Sequence, residues 1–155
     1  MIRRARLDEA GAVRDVVLSA YERYVSVIGT APAPMLDDYP ARIAADQVWV
    51  LPAADVIAGV LVLESGPDRF LLDNIAVRPD RQGRGLGRLL LDFAEAEAAR
   101  CGHERITLYT NTLMLENIAI YTARGYVEQD RRFEKGFARV YMEKPLPRPS
   151  AGHRA

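Results

Sequence analysis

Leu71-Leu72-Asp73-Asn74-Ile75-Ala76-Val77-Arg78-Pro79-Asp80, continued by Arg81-Gln82-Gly83-Arg84-Gly85-Leu86-Gly87 and a run to Arg100, is the stretch that decides the fold. Its first part is rich in branched apolar residues and is stopped by Pro79, which predicts a strand. Its last part carries Leu86, Leu89, Leu90, Phe93 and Ala96 at helical spacing, with Gly102 as the terminator. Between them stand Gly83, Gly85 and Gly87 at alternate positions, with Arg81, Arg84 and Arg88 around them. A strand that feeds a glycine turn and then a helix aims several free backbone N–H groups at one point. Together with the positive end of the helix dipole, such a turn cradles a pyrophosphate.

Competing glycine motifs fail on spacing. A P-loop ends in Gly-Lys-Ser or Gly-Lys-Thr, whereas Arg88 and Leu89 follow Gly87. A dinucleotide fingerprint begun at Gly83 meets Arg88 where its third glycine belongs, and one begun at Gly85 meets Leu90. A tight left-handed turn between packed elements also uses glycine. Gln82-x-x-Gly85-x-Gly87 after a strand ending in Val77-Arg78-Pro79 resembles the acetyl-CoA pyrophosphate loop of the GNAT N-acetyltransferase superfamily.

Outward from the loop, the spacing predicts a short strand over 2–7 and a helix from Asp8, as its cap, to 24–28. A proline-rich loop over 29–34 and a short helix with Asp38 near its cap, ending by Asp46, come next. Strands over 47–51, 56–64 and 70–77 are joined by loops too short for a parallel crossover, so they form an antiparallel meander. Beyond the glycine loop and its helix, 105–110 is a strand parallel to the preceding one across a right-handed crossover. A helix over 111–124 stopped by Gly125, and a hairpin of strands 126–133 and 138–144, complete the domain. The fold class is α/β with a mixed sheet. The order β-α-α-β-β-β-α-β-α-β-β is similar to the GNAT fold with its splayed central parallel strands, and a single domain over 1–144 precedes a proline-rich tail, 145–155, expected to be disordered.

Composition narrows the function classes. The 155 residues carry 21 basic and 21 acidic side chains, so no strong field favours nucleic acid or a membrane surface. The longest apolar stretch, Val56 to Leu63, is too short to span a bilayer, and the basic N-terminus lacks the apolar core of a signal peptide. Cys101 is the one cysteine, which excludes an internal disulfide and a cysteine metal cluster and fits a cytoplasmic setting. His103 and His153 lie far apart, so no metal is expected.

The resemblance implies acetyl-CoA as cosubstrate and transfer of its acetyl group to a primary amine of a small molecule or peptide. It implies that the pantetheine arm pairs with the strand backbone at Ile75, Ala76 and Val77, and that Gln82, Gly83, Arg84, Gly85, Leu86, Gly87 and Arg88 hold the pyrophosphate. The stretch Met114 to Tyr126 is similar to the family's C-terminal motif, in which a tyrosine four residues before a Gly-aromatic pair faces the thioester. That tyrosine is Tyr121, the implied general acid, and Asn117 shares its helix face. A packing tyrosine with a backbone partner is the alternative. Where many members carry a cofactor-contacting asparagine, seven residues earlier, this chain has Met114; Asn117 or Asn111 takes its place, and Asn111 serves equally as a helix cap.

Asp73 and Glu64 are the candidate general bases, beside a base acting through water. Asp73 shares a strand face with Ile75 and Val77 unless a bulge intervenes. The acceptor-side segments, 25–46 and 128–139, carry no diagnostic ligand set, and the C-terminal hairpin leaves a homodimer open. Two rivals share the loop: a nucleotide- or dinucleotide-binding domain, and a non-catalytic acyl-CoA sensor of the same fold.

Overall fold

In the computed structural model, which describes residues 1–147, the elements follow the expected order. They are β1 (Arg3–Arg4), α1 (Ala10–Tyr21), α2 (Val25–Ile28), α3 (Tyr39–Ala44), β2 (Val48–Ala53), β3 (Val56–Ser65), β4 (Phe70–Val77), α4 (Leu86–Arg100), β5 (Arg105–Asn111), α5 (Leu115–Ala123), β6 (Val127–Glu134) and β7 (Phe137–Pro145). Seven strands form one sheet in the order β1-β2-β3-β4-β5-β7-β6. The meander β2-β3-β4 is antiparallel, and β4 and β5 are parallel, as a crossover through α4 requires.

Each face of the sheet is covered by helix. Val13 and Val17 of α1 and Ile43 of α3 pack on Val48, Val60 and Val62. On the other face Leu90, Ala94 and Ala98 of α4 pack on Leu61, Leu72 and Leu108. Burying a side chain such as Val17 or Leu90 contributes roughly 1.5–3 kcal/mol. The approach of α4 to β3 depends on Gly59, where a Cβ would lie 2.9 Å from Leu90 Cδ1.

Two irregularities of β4 position the site. Its pairing with β5 covers only Leu71↔Thr107 and Leu72↔Leu108. β5 instead continues against β7 as far as Asn111↔Arg139, so the two parallel strands part beyond Leu72. At that point β4 also bulges: Val62 pairs with Asn74 and Leu63 with Leu72, which leaves Asp73 without an opposite residue on β3. The extra residue resets the alternation. Phe70 and Leu72 share the α4 face with Ile75 and Val77, while Asn74 and Ala76 face α1. Asp73 therefore leaves the face of Ile75 and Val77, which corrects the unbulged expectation.

Other boundaries move for local reasons. Asp8 sits in a 3-10 turn and makes no cap; Glu9 instead accepts from Arg6 N at 2.8 Å and grips Arg3. The first helix yields to a 3-10 turn after Tyr21. Asn111 ends β5, and its side chain accepts from Leu113 N at 2.9 Å, so α5 starts only at Leu115. Asp38 does cap α3, accepting from Ala41 N at 3.1 Å. Pro145 belongs to β7, and Leu146, buried, donates its N–H to Glu104 O, so the domain runs past residue 144. The remainder of the expected tail, 148–155, lies outside the described residues.

Candidate active site

A cavity of about 280 Å³ opens where β4 and β5 part, walled by β4, the glycine loop, α1 and α5. It gathers Ile75, Ala76, Val77, Gln82, Gly83, Gly85, Leu86, Gly87, Asn117 and Tyr121 from the sequence-predicted set. Gly83 and Gly85 both take left-handed backbone, at φ 79° and 78°, and nothing lies within 4 Å of where their Cβ atoms would be. After Gln82 N, which donates to Pro79 O at 3.4 Å, the next backbone donor to find an acceptor is Leu89 N, to Gly85 O at 3.1 Å. Among the described residues, the N–H groups of residues 83–88 bond to no protein acceptor. Six consecutive free donors before a helix dipole suit a pyrophosphate.

Arg84 and Arg88 are exposed and do not line the cavity, and neither has an ion-pair partner among the described residues. They stand at the rim, where charge attracts an anion at a distance. Gln82 reaches back to donate to Val77 O at 3.2 Å, and the Tyr21 hydroxyl donates to Ile75 O at 3.0 Å. Both β4 carbonyls thus face away from β3 toward the gap, where a polar ligand reaches them.

Tyr121 differs from every other tyrosine described. The hydroxyls of Tyr21, Tyr24, Tyr39, Tyr109, Tyr126 and Tyr141 each have a side-chain or backbone partner. The Tyr121 ring is buried, edge-on to Tyr126 with centroids 5.9 Å apart, yet its hydroxyl has no partner among the described residues. Burial, with Tyr24 close by, pushes its phenol above the ordinary value, so it remains a neutral donor. Met114 is buried against the α1 side and stays out of the cavity, while Asn117 lines it.

Asp73 opens on the opposite side of the gap. Two smaller hollows there share Pro34, Asp73, Tyr109, Phe137 and Arg139, and Asn111 lines one of them rather than the main cavity. Asp73 accepts from the Tyr109 hydroxyl at 2.6 Å and pairs with Arg42 at 3.2 Å. Arg42 also holds Asp37 and Glu64, at 2.9 and 2.5 Å, so Glu64 is engaged as an ion-pair partner. Burial raises the Asp73 carboxyl above its ordinary value, against the pull of Tyr109 and Arg42 and with the help of Asp37 and Glu64. Tyr21 stands between the two sides, lining the main cavity and one hollow and donating to Asn74 Oδ1 at 2.8 Å.

Sequence reasoning missed Tyr21, Tyr24, Tyr109 and Arg139 as parts of this site; Arg42 was placed on the acceptor side beside Asp37, Asp38 and Tyr39, but without its link to Asp73. Tyr21 had a signal: with Val13 and Val17 it forms one buried stripe, and a phenol there needs a partner. Arg139 and Tyr109 had none, because their meeting depends on the β5–β7 register. Among the described residues no group of three or more His, Cys, Asp or Glu side chains is placed to hold a metal ion, and no helix is long and apolar enough to cross a membrane.

Comparisons with known proteins identify the family and the fold. Residues 14–126 match the model of the Acetyltransferase (GNAT) family. No curated protein matches the chain. The PaiA N-acetyltransferase of Thermoplasma acidophilum, solved in complex with coenzyme A, superposes with a TM-score of 0.78 at 16% identity, over 94% of this chain and 98% of that one. An acetyltransferase of the GNAT family from Desulfovibrio desulfuricans gives 0.76 at 20% identity, over 95% and 99%. The ribosomal-protein-S18-alanine N-acetyltransferase of Escherichia coli gives 0.71 at 20% identity, over 97% and 96%. At such identities the solved structures establish the fold, whereas the family model, which spans most of the chain and includes both the glycine loop and Tyr121, establishes the lineage. This protein belongs to the GNAT acetyltransferase family.

Proposed function

We propose that the protein is an N-acetyltransferase that moves the acetyl group of acetyl-CoA to a primary amine by direct attack, with Tyr121 as general acid. The observation that carries this reading is the hydroxyl of the otherwise buried Tyr121, accessible, without a partner among the described residues, and on a side chain that lines the cavity beside the glycine loop. Acetyl-CoA supplies an activated thioester. The N–H groups of residues 83–88 would hold its pyrophosphate, Arg84 and Arg88 would add charge at the rim, and Ile75 to Val77 would pair with its amide-bearing arm.

Tyr121 would donate to the leaving sulfur. A phenol near 10 and a thiol near 8.5 make full proton transfer uphill in water, so the donor works by sharing its proton as the carbon–sulfur bond lengthens. Asp73 is the proposed base on the opposite side of the gap, since a carboxylate of raised pKa takes a proton more readily than an exposed one. Asn117 would position the arm beside Tyr121, and Asn111, bonded to Leu113 N, keeps a structural role. The one cysteine fits a cytoplasmic enzyme, and the exposed outer strand β6 is the edge through which a homodimer would form.

The test is an acetyl-CoA turnover screen over amino acids, polyamines, aminoglycosides and lysine peptides, read by release of free thiol. It is paired with thermal unfolding in the presence of cofactor. At a hundredfold excess over its dissociation constant, acetyl-CoA should stabilise the fold by about 2.7 kcal/mol. NADH and ATP at matched concentration should do much less; an equal shift with NADH favours a dinucleotide site. Stabilisation without turnover of any amine favours the acyl-CoA sensor.

A further inference from the structure

The hollow beyond Asp73, of about 270 Å³, has two ends of opposite charge. At one end Asp73, Asp37 and Glu64 surround the single guanidinium of Arg42, a local excess of negative charge. At the other end stands Arg139, 8% exposed and lying over the Tyr109 ring at 4.2 Å. A guanidinium has five N–H donors, and stacking on a ring satisfies none of them. Its one hydrogen bond among the described residues is a 3.5 Å contact with Glu134 Oε1. That oxygen is already taken by Tyr141 at 2.5 Å, and Arg132 lies 3.7 Å from the other. Arg139 thus has guanidinium nitrogens that make no hydrogen bond among the described residues, and because none of them is fully buried they are accessible, on a residue lining both hollows. Lys135 lines the same hollow and has no ion pair among the described residues.

Tyr109 spans the two ends. Its ring carries Arg139, and its hydroxyl donates to Asp73 at 2.6 Å. One tyrosine side chain therefore separates a site for an anion from a site for an ammonium. Planar carboxylates match the guanidinium fork in both geometry and charge.

We infer that the acceptor is a small amino acid or a close analogue, carrying its amine and a carboxylate within a few bonds of each other. This rests on the acetyltransferase reading and names its substrate class. The carboxylate docks on Arg139, with Lys135 alongside, and the amine points to Asp73 and the gap. Nitrogen forms a bond to the acetyl carbon as the carbon–sulfur bond breaks. The ammonium gives up two protons in all, the departing sulfur gains one, and one goes to solvent. A polyamine brings a second cation against Arg139, and a peptide N-terminus lacks the carboxylate, so both fit the hollow worse.

The experiment compares each standard amino acid with its own carboxamide, and with spermidine and an alanyl peptide, by thiol release. The best acid should exceed its amide by about ten- to a hundredfold in kcat/KM, the effect of one charge-assisted hydrogen bond or more. Arg139→Gln should collapse that ratio, and Arg139→Lys should restore part of it. Should Arg139→Gln not fold, the wild-type ratio still decides. Amides or spermidine used as well as acids overturn the inference and leave the acetyltransferase reading intact. If no amine releases thiol, that reading fails, and calorimetric binding to the CoA-loaded protein decides this one separately. Acids bound more tightly than amides uphold it; equal binding, or none across the panel, overturns it.

Discussion

On the α4 side the gap between β4 and β5 is lined by backbone donors and apolar side chains. On the α3 side it is lined by Arg42, Asp73, Tyr109 and Arg139, which hold one another through ion pairs, a short hydrogen bond and a stacked ring. The first mouth uses groups every residue carries, so its donors survive most side-chain changes and depend on two glycines for their direction. The second uses buried charge, which costs stability unless each group is paired. The proposed chemistry needs both. A polyanionic cofactor is well served by many weak backbone donors, whereas a small acceptor needs few strong, placed charges to be chosen and oriented.

The largest effect should come where the two mouths meet, at Tyr121. Tyr121→Phe removes one oxygen and keeps the ring packed on Tyr126. If Tyr121 is the general acid, the single-turnover rate should fall by about 10²–10⁴, or roughly 3–5 kcal/mol. Its melting temperature should stay put, since the lost hydroxyl has no protein partner among the described residues. Tyr126→Phe provides the contrast: it loses a 3.0 Å bond to Glu95, so its stability should fall while its single-turnover rate holds. An unchanged rate in Tyr121→Phe makes Tyr121 a packing residue. The loss should also shrink with a donor whose leaving thiol is more acidic.

Gly85→Val tests the backbone mouth, with a smaller expected loss. No atom crowds the site of its Cβ, so the damage comes from φ 78°, which a β-branched residue resists. Turning the loop out of that conformation misdirects donors of residues 83–88. The loss of one charge-assisted hydrogen bond, about 1.5–3 kcal/mol, predicts CoA binding weakened roughly ten- to hundredfold. Calorimetric titration of the folded variant reads this directly. Unaltered CoA affinity together with lowered stability would make the loop a structural turn and erase the difference between the mouths.

The same contrast governs what the sequence reveals. Gln82, Gly83, Gly85, Leu86, Gly87, Asn117 and Tyr121 were legible as cavity-lining residues because each sits at a fixed spacing within one strand–turn–helix or one helix, where local geometry decides direction. The β2-β3-β4 meander and the β6–β7 hairpin were legible for a like reason, since loop lengths decide which strands pair antiparallel, whereas the insertion of β7 between β5 and β6 was not. Asp73 was half legible. Its candidacy followed from position, but its facing depended on a bulge that no residue announces. Arg42 and Arg139 lie inside the two segments that carried no diagnostic ligand set, 25–46 and 128–139. Their roles arise only when α3, β5 and β7 converge on Tyr109, a contact among residues 42, 73, 109 and 139 that no spacing encodes.

The smallest expected effect is on stability, and it tests whether the charged mouth carries an unrelieved cost. Burial raises the Asp73 carboxyl in the folded protein, with Asp37 and Glu64 adding to the rise and Tyr109 and Arg42 opposing it. A raised carboxyl favours folding in its protonated form: that contribution is complete below the unfolded value of about 3.9 and is lost as pH rises through the folded value. At neutral pH the ionised Asp73 is therefore a net burden. Asp73→Asn removes the burden, keeps an oxygen to accept from Tyr109, and leaves Arg42 paired with Asp37 and Glu64. Its melting temperature at pH 7 should equal or exceed that of the wild type, by at most about 2–4 °C. The advantage should disappear near pH 3, where both side chains are neutral. Acetyl transfer by the same variant should fall, because the proposed base and the partner of the incoming amine are gone. A clear loss of stability at pH 7 would instead show that Asp73 acts as a structural ion-pair partner of Arg42. The second mouth would then be as settled as the first.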